Sequence, residues 1–226
     1  MPQFDRYAEN YQTVLAKNLR FIPGGTDYYN RNRVRITKKV VENAPEPKQI
    51  LDFGGGIGLS IPHLKHEFPL AVISICDASA ESVEVAYHFH PEIQILDPHG
   101  LPPQYFDLIF VAGVVHHVEP TLRLELLTRI VDSLRPGGTI VIHELNPLNP
   151  VTRRLVACCP FDDDAILITK SELINTLKGI DGISLRKQGF SVFLPPIFRS
   201  ISSVEHLLGW CPIGAQYFVA ITRNEF

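Results

Sequence analysis

The sequence has no excess of positive charge and no long apolar run. Its formal net charge is -3 over 226 residues, so no global positive field attracts a phosphate backbone, and nucleic acid is not expected as a partner. The longest apolar run, from Leu108 to Val115, is much shorter than the ~20 residues that a membrane-spanning helix needs. Asp5 and Glu9 stand where a secretory signal peptide is apolar. These absences predict a protein with neither a membrane span nor an export signal.

Cysteine is scarce, and its spacing suggests neither a metal site nor a disulfide framework. The four cysteines, Cys76, Cys158, Cys159 and Cys211, form no Cys-x-x-Cys or Cys/His ligand pattern. Adjacent Cys158 and Cys159 cannot easily point at one metal ion. Since disulfides are rare in reducing compartments, we expect a cytoplasmic location.

The overall composition is that of an ordinary globular protein. Apolar residues make up 45% of the chain and charged residues 20%, which predicts a packed core rather than disorder. A chain of 226 residues is long enough for one sizeable α/β domain and short for two independent ones. We therefore predict a single domain with local insertions.

Apolar runs of strand length alternate with segments of helical spacing from residue 49 onward. This alternation is typical of a doubly wound, mostly parallel sheet with helices on both faces. The predicted strands cover 49–53, 71–76, 93–96, 106–112, a segment from Thr139, 182–193 and 215–223. The predicted helices cover 29–42, 57–68, a segment through Leu127, Ile130, Val131 and Leu134, a short stretch from Val151, and 171–178 with Ser171 as N-cap.

The N-terminal region has two features of its own. Phe4, Tyr7, Ala8, Tyr11 and Leu15 fall at helical spacing and predict an amphipathic helix ahead of the sheet. The basic stretch 31–35 lies within the predicted 29–42 helix, and we interpret it as a solvated helix face.

The motif that carries chemical information runs from Asp52 to Gly58, where an apolar strand enters a glycine-rich turn. Glycines let the backbone approach a ligand, and a following helix offers free N–H groups. The spacing fails the dinucleotide fingerprint, because Leu59 stands where its third glycine is required. It fits Asp-x-Gly-x-Gly-x-Gly instead. An acidic residue beside the turn repels a pyrophosphate and suits a ligand with an ammonium and a sulfonium.

Two further aspartates follow the next predicted strands. Asp77 stands near the ~20-residue offset at which an acidic group meets ribose hydroxyls in related folds, and a carboxylate can accept from both hydroxyls. Asp97 follows the 93–96 strand and is placed to meet an adenine amino group. Each could also be an ordinary loop-end or N-cap residue. Together with Asp52 they favour an adenosyl ligand.

These residues resemble the class I S-adenosylmethionine-dependent methyltransferases, in particular the small-molecule group similar to ubiquinone and menaquinone methyltransferases. The resemblance covers about residues 4–144, in blocks that come in the family's order. The blocks are Phe4-x-x-Tyr7-Ala8-x-x-Tyr11, Asp52 to Gly58 with Asp77 and Asp97, Phe106 to Phe110 with His116-His117-Val118, and Leu134-Arg135-Pro136-Gly137-Gly138. The resemblance implies a seven-stranded sheet in the order 3-2-1-4-5-7-6 with the last strand antiparallel.

The same resemblance implies S-adenosylmethionine as cofactor, partly covered by the N-terminal helix. It divides the predicted domain into an N-terminal helical cover (1–45), a cofactor-binding core (46–145) and an acceptor-side region with insertions and an antiparallel strand pair (146–226). The predicted cofactor-binding residues are Tyr7, Tyr11, Asp52, Gly54, Gly55, Gly56, Gly58, Asp77, Ala78, Asp97 and Ala112.

Three histidines follow strands whose carboxyl ends meet at one edge of the predicted sheet. His116 and His117 come after the 106–112 strand, and His143 ends the next one beside Glu144. Since histidine titrates near neutral pH, His116 and His143 are the predicted catalytic bases. We interpret His117 as structural, while Glu144 either positions a ligand group or caps a helix. Without a helical His-x-x-x-His pairing, no metal site is predicted, even with 162–164 all aspartate.

The predicted function is methyl transfer to a small-molecule acceptor, most simply to an oxygen of an apolar or lipid-linked metabolite. One alternative is a non-catalytic S-adenosylmethionine-binding module that acts through a protein partner. Another is a nicotinamide-dependent oxidoreductase, against which the misplaced third glycine argues. The connector 194–214 is too apolar for a plain surface loop. It could be a lid, a patch for peripheral contact with a membrane or second subunit, or a segment packed on the sheet edge.

Overall fold

The computed structural model describes residues 25–159, 162–193 and 207–225. The predicted helix with Tyr7 and Tyr11, and residues 194–206 of the apolar connector, lie outside these ranges. The helices are α1 (Gly25–Val41), α2 (Ile61–Glu67), α3 (Ala80–Phe89), α4 (Arg123–Ser133), α5 (Pro150–Ala157) and α6 (Lys170–Leu177), with 3-10 turns at Val115–His117 and Pro120–Leu122. The strands are β1 (Gln49–Phe53), β2 (Val72–Cys76), β3 (Gln94–Ile95), β4 (Phe106–Ala112), β5 (Leu134–Leu145), β6 (Ile183–Ser191) and β7 (Gln216–Arg223).

The strands form one sheet in the order β3-β2-β1-β4-β5-β7-β6, which confirms the predicted fold class. Strands β1 to β5 pair in parallel, and β7 runs antiparallel to both β5 and β6. Helix α2 connects β1 to β2, α3 connects β2 to β3, and α4 connects β4 to β5, and the carboxyl ends of the parallel strands meet at one edge of the sheet.

The core lies on both faces of the sheet because successive side chains of a strand point to opposite sides. In β4, Ile109 and Val111 pack on the face covered by α4 and α6. Leu108 and Phe110 pack on the opposite face, together with residues of α1, α2 and α3. All four side chains are fully buried. Among the described residues, no helix has the length and apolarity to cross a bilayer.

Two helix boundaries differ from the prediction around the motifs. Helix α2 begins at Ile61 rather than Ile57, because Gly56 and Gly58 adopt positive φ angles and keep the chain in turns. Helix α4 ends at Ser133, and Leu134 begins β5 instead of closing the helix. Leu134 has extended backbone and pairs with Phe106, so β5 begins ahead of the predicted Thr139.

Two smaller predictions were also wrong. The N-cap of α6 is Thr169 rather than Ser171, because Thr169 forms a capping box with Glu172. Strand β3 has only two residues, shorter than the predicted 93–96.

Candidate active site

A cavity of about 430 Å³ lies where α1 covers the carboxyl ends of β1, β2, β4 and β5. Its floor includes the end of β1, the glycine turn and Ala112. Asp77 and Ala78 border it after β2, and α5 and the start of β7 form another wall. Ligands of doubly wound sheets bind at this edge, and the volume is typical of small-molecule sites.

The glycine turn brings bare backbone to the cavity. Gly54 and Gly55 N–H groups donate to the Cys76 carbonyl at 2.8 and 3.2 Å, which pins the turn against β2. A Cβ at Gly54 would collide with the Val114 side chain, and one at Gly55 would lie 2.7 Å from Ile75 Cδ1. Gly56, with φ of 52°, has open space around its missing Cβ. A side chain at Gly54 or Gly55 would therefore displace Val114 or Ile75, and glycine keeps the turn close to its neighbours.

Gly58 has a different part in the turn. It does not border the cavity, and a Cβ there would lie 3.1 Å from Ala86 Cβ of α3. It shapes the turn rather than facing a ligand.

Asp52 borders the cavity and has a buried carboxylate oxygen without a hydrogen-bond partner among the described residues. The side chain is 2% exposed, and Oδ2 has no hydrogen-bond partner among the described residues. Burial first, and then the nearby Asp77 carboxylate, raise the pKa of Asp52 to about 7, while Arg33 offsets part of the effect. A buried acceptor without a partner is costly, so this position suits a ligand that brings a cation or a donor.

Asp77 is held in place by backbone amides. Its Oδ2 accepts from Gly56 N–H at 2.8 Å, and its Oδ1 accepts from Ser79 N–H at 2.9 Å. A carboxylate offers about four lone-pair directions, so two remain for neighbouring ligand hydroxyls.

Asp97 lies outside the cavity, unlike the other predicted cofactor residues that follow strands. Its Oδ1 accepts from His99 N–H at 2.8 Å in an exposed turn. Pro98, His99 and Arg129 border this part of the cavity instead. Arg129 approaches His99 Nδ1 at 3.3 Å.

His116 borders the cavity and is paired with Glu144 of β5. His116 Nδ1 lies 2.6 Å from Glu144 Oε2, and Glu144 Oε1 accepts from the Val114 and Val115 amides at 3.1 and 2.7 Å. Burial lowers the pKa of His116, but the Glu144 and Asp162 carboxylates outweigh burial and raise it to about 9. Burial raises the pKa of Glu144, but His116 and the Val115 amide bring it below its ordinary value.

His117 and Asp162 lie beside His116 on the cavity wall. His117 Nδ1 is 3.1 Å from Asp164 Oδ1. The Nε2 atoms of His116 and His117 each lie 3.6 Å from Asp162 Oδ1. The ligand-type atoms of these three side chains all fall within 4.8 Å of one another, a grouping that the sequence spacing did not predict.

His143, the other predicted catalytic histidine, does not border the cavity. It is fully buried, with Nε2 3.0 Å from Thr37 Oγ1 and its ring between Phe110 and Phe218. Burial first, and then Arg33, lower its pKa well below the ordinary value. Neighbouring side chains of a strand face opposite sides, so Glu144 reaches His116 while His143 points beneath α1.

Helix α1 contributes residues that the sequence interpretation missed. Tyr29, Asn30 and Arg33 border the cavity, and Arg33 Nε donates to Gln216 Oε1 of β7 at 3.0 Å. Arg31 and Arg35 are exposed, so the solvated-face interpretation holds for only part of the stretch. The spacing of positions 29, 30 and 33 along one helix face was the available signal.

Comparisons with known proteins identify the family. The family described as "Methyltransferase domain" matches residues 26–175. Trans-aconitate 2-methyltransferase of Pseudomonas aeruginosa is 28% identical over 132 residues, 56% of this chain and 47% of the relative. Alpha N-terminal protein methyltransferase 1 of Caenorhabditis elegans is 25% identical over 179 residues, 73% of each chain. The chain thus spans about half the length of the trans-aconitate relatives it matches.

Solved structures agree on the fold. A SAM-dependent methyltransferase from Archaeoglobus fulgidus superposes with a TM-score of 0.67 at 17% identity, covering 95% of this chain and 100% of that one. The plantazolicin methyltransferase BpumL in complex with SAH superposes with a TM-score of 0.67 at 17% identity, covering 99% and 95%. The predicted ubiquinone-like subgroup is not confirmed by these matches. The family match and the shared sheet together show that the chain belongs to the methyltransferase domain family.

Proposed function

We propose that the protein transfers a methyl group from S-adenosylmethionine to a hydroxyl oxygen of a small molecule bound in the same cavity. One observation carries the proposal: Asp52, which has a carboxylate oxygen without a hydrogen-bond partner among the described residues, borders a cavity that is also lined by the glycine turn, Asp77 and His116. A cationic amino acid nucleoside satisfies Asp52, and the acceptor binds on the side of the same cavity that His116 borders.

The residues of the turn fit the cofactor group by group. Asp52 accepts the ammonium of its methionine part, which satisfies Oδ2 and favours the ionised form. Asp77, fixed by Gly56 and Ser79 amides, accepts the ribose hydroxyls. The bare backbone of Gly56, with open space around its missing Cβ, lets the ligand approach the turn closely. When bound, the cofactor supplies a methyl group that its positive sulfur has already activated.

One side of the cavity, which we call the acceptor wall, is formed mostly by the apolar side chains of Leu145, Leu155, Val156 and Ala215. An apolar part of the acceptor molecule would lose its hydration water on packing against them. His116 lies on the same wall and places the reacting oxygen. This arrangement supports alignment and exclusion of water as the main contribution of the protein. His143, which does not reach the cavity, has no place in the proposal.

We propose that the chain acts as one domain in the cytoplasm, where a reducing environment suits its cysteines, none of which forms a disulfide. A non-catalytic binding module is not favoured, because His116, Asp162 and the apolar wall complete an acceptor space.

Methyl transfer is tested with cofactor carrying an isotopically labelled methyl group. Purified protein is incubated with a panel of small hydroxylated molecules and their deoxy counterparts, and products are measured by mass spectrometry. We include trans-aconitate because several relatives are named for it. The proposal predicts one labelled methyl on a hydroxyl compound and none on its deoxy counterpart. Binding of cofactor without transfer to any compound would favour the non-catalytic module. Transfer only to a carboxylate would overturn the hydroxyl assignment.

A further inference from the structure

Three side chains beside the acceptor wall bring their polar atoms close together. We refer to His116, His117 and Asp162 as the wall triad. The two imidazoles come from the 3-10 turn after β4, and Asp162 comes from the segment after α5. That segment is fastened to the turn by the Ile166 N–H, which donates to the His116 carbonyl at 2.8 Å. The triad therefore rests on two backbone segments that hold each other in place.

Both imidazoles are oriented by carboxylates on their far sides. His116 Nδ1 lies 2.6 Å from Glu144, and His117 Nδ1 lies 3.1 Å from Asp164. With each Nδ1–H donated to its carboxylate, the metal-binding lone pair is on Nε2, and a cation bound there displaces the Nε2 proton that His116 otherwise carries. The two Nε2 atoms are the ones that face Asp162. Metal-bound histidines have this carboxylate support, which fixes the tautomer and raises ligand basicity.

The spacing within the wall triad fits ligands around one ion. Each Nε2 is 3.6 Å from Asp162 Oδ1, longer than the 2.7–3.2 Å of an ordinary hydrogen bond. Two ligands bonded to zinc at about 2.1 Å with a tetrahedral angle lie about 3.4 Å apart. The Asp162 carboxylate is itself supported by a hydrogen bond with Cys159, so each member has an outer partner.

We propose that the wall triad binds one divalent cation of the zinc type, with its fourth position open to the cavity. Two imidazole nitrogens and one carboxylate with an open position form the donor set of catalytic zinc sites. Glu144, Asp162 and Asp164 supply negative charge that complements a dication. This proposal replaces the sequence-based prediction of no metal site.

The cation would activate the acceptor of the proposed function, on which this role rests. An acceptor hydroxyl bound at the open position loses its proton to solvent water, because the cation lowers the hydroxyl pKa. The resulting oxygen anion attacks the methyl carbon as the carbon–sulfur bond breaks. The products are a methyl ether and a neutral thioether. His116 then acts as a ligand and not as a free base, which differs from its predicted role.

The test measures cation binding without methyl transfer. Full-length protein is treated with a chelator, and Zn²⁺ is titrated by calorimetry, with Co²⁺ as a spectroscopic substitute that absorbs visible light in four-coordinate sites. We expect one ion per chain and displacement of Co²⁺ by Zn²⁺. Asp162→Asn and His117→Gln should each weaken binding at least tenfold. The matched controls Asp163→Asn and His66→Gln change exposed residues outside the triad and should bind as the wild type does.

Each outcome bears on the proposal. Absence of stoichiometric binding by the wild type, or equal affinity in Asp162→Asn and Asp163→Asn, overturns the cation site. S-adenosylhomocysteine binding by the same chelated samples checks folding and tests the proposed function separately. If the protein binds the nucleoside but not the cation, only the cation site is overturned. If it binds the cation but not the nucleoside, only the proposed function is overturned.

Discussion

Glu144 and His116 are joined by a 2.6 Å hydrogen bond that links β5 to the 3-10 turn after β4. Both side chains are almost completely buried, and the second oxygen of Glu144 accepts two amides at the start of the turn. The pair therefore positions the cavity wall as well as the imidazole. Removing one partner of a buried pair leaves the other charge uncompensated.

Glu144→Gln should destabilise the fold. Glutamine can still accept the Val115 amide, but its NH₂ group then faces the Nδ1–H of His116. We expect the free energy of unfolding to fall by about 3 kcal/mol, measured by chemical denaturation. The control Glu119→Gln changes an exposed residue and should stay within about 0.5 kcal/mol. Equal effects of the two substitutions would show that the buried pair has no special part in stability.

Asp52 should make the stability of the ligand-free protein depend on pH. Its pKa is about 7 in the fold, raised first by burial and then by Asp77 and partly offset by Arg33, against an ordinary value of 3.8. Between those values the folded state binds more protons than the unfolded state, so stability falls as pH rises from about 4 to about 7. The Cys76 thiol beside it, with its pKa raised to about 12, stays neutral throughout.

The variant Asp52→Asn has no carboxyl group to titrate at this position, so its stability should not show this fall between about pH 4 and about pH 7. We expect its melting temperature, relative to the wild type, to be higher at about pH 8 than at about pH 5. Scanning calorimetry of the ligand-free proteins measures the difference. A difference that does not change with pH contradicts the raised pKa of Asp52.

Gly54→Ala should impair both the fold and the ligand site. Gly54 has φ of 70°, and a Cβ there meets the Val114 side chain. We expect a loss of about 1–3 kcal/mol in stability and weaker nucleoside binding. Gly100→Ala is the matched control, because its nearest new contact is at 3.5 Å, an ordinary van der Waals distance. Denaturation and calorimetric titration of both variants separate the turn from a general effect of losing a glycine.

The two predicted catalytic histidines should behave differently when replaced by glutamine. His116 borders the cavity, so His116→Gln should misplace the acceptor oxygen and lower the methyl transfer rate about 100-fold. His143 bonds Thr37 inside the core, so His143→Gln should mainly cost about 1–2 kcal/mol of stability. Rates are compared per folded protein, at a temperature where both variants are folded. A larger rate loss for His143→Gln would restore its predicted catalytic part.

The alternation of apolar runs with segments of helical spacing predicted a mostly parallel sheet, and the resemblance to the family implied its strand order. The Asp52–Gly58 turn and Asp77 were recognisable from spacing alone. Contacts between distant segments could not be recognised from the sequence. Nothing local indicates that Glu144 reaches His116, that Asp162 faces both imidazoles, or that Arg33 turns inward while Arg31 stays in solvent. Those relationships depend on which face of a strand or helix meets a neighbour. A shift of one residue reverses the face in a strand and turns it by about 100° in a helix.

The most direct test of the account is a calorimetric titration of the wild type and Asp77→Ala with S-adenosylhomocysteine. The account predicts one site per chain in the wild type and an affinity at least tenfold lower in the variant, about 1.4 kcal/mol, with circular dichroism unchanged. Asp97→Ala, outside the cavity, should lose less affinity than Asp77→Ala. No heat with folded wild-type protein, or equal affinity in wild type and Asp77→Ala, would contradict it.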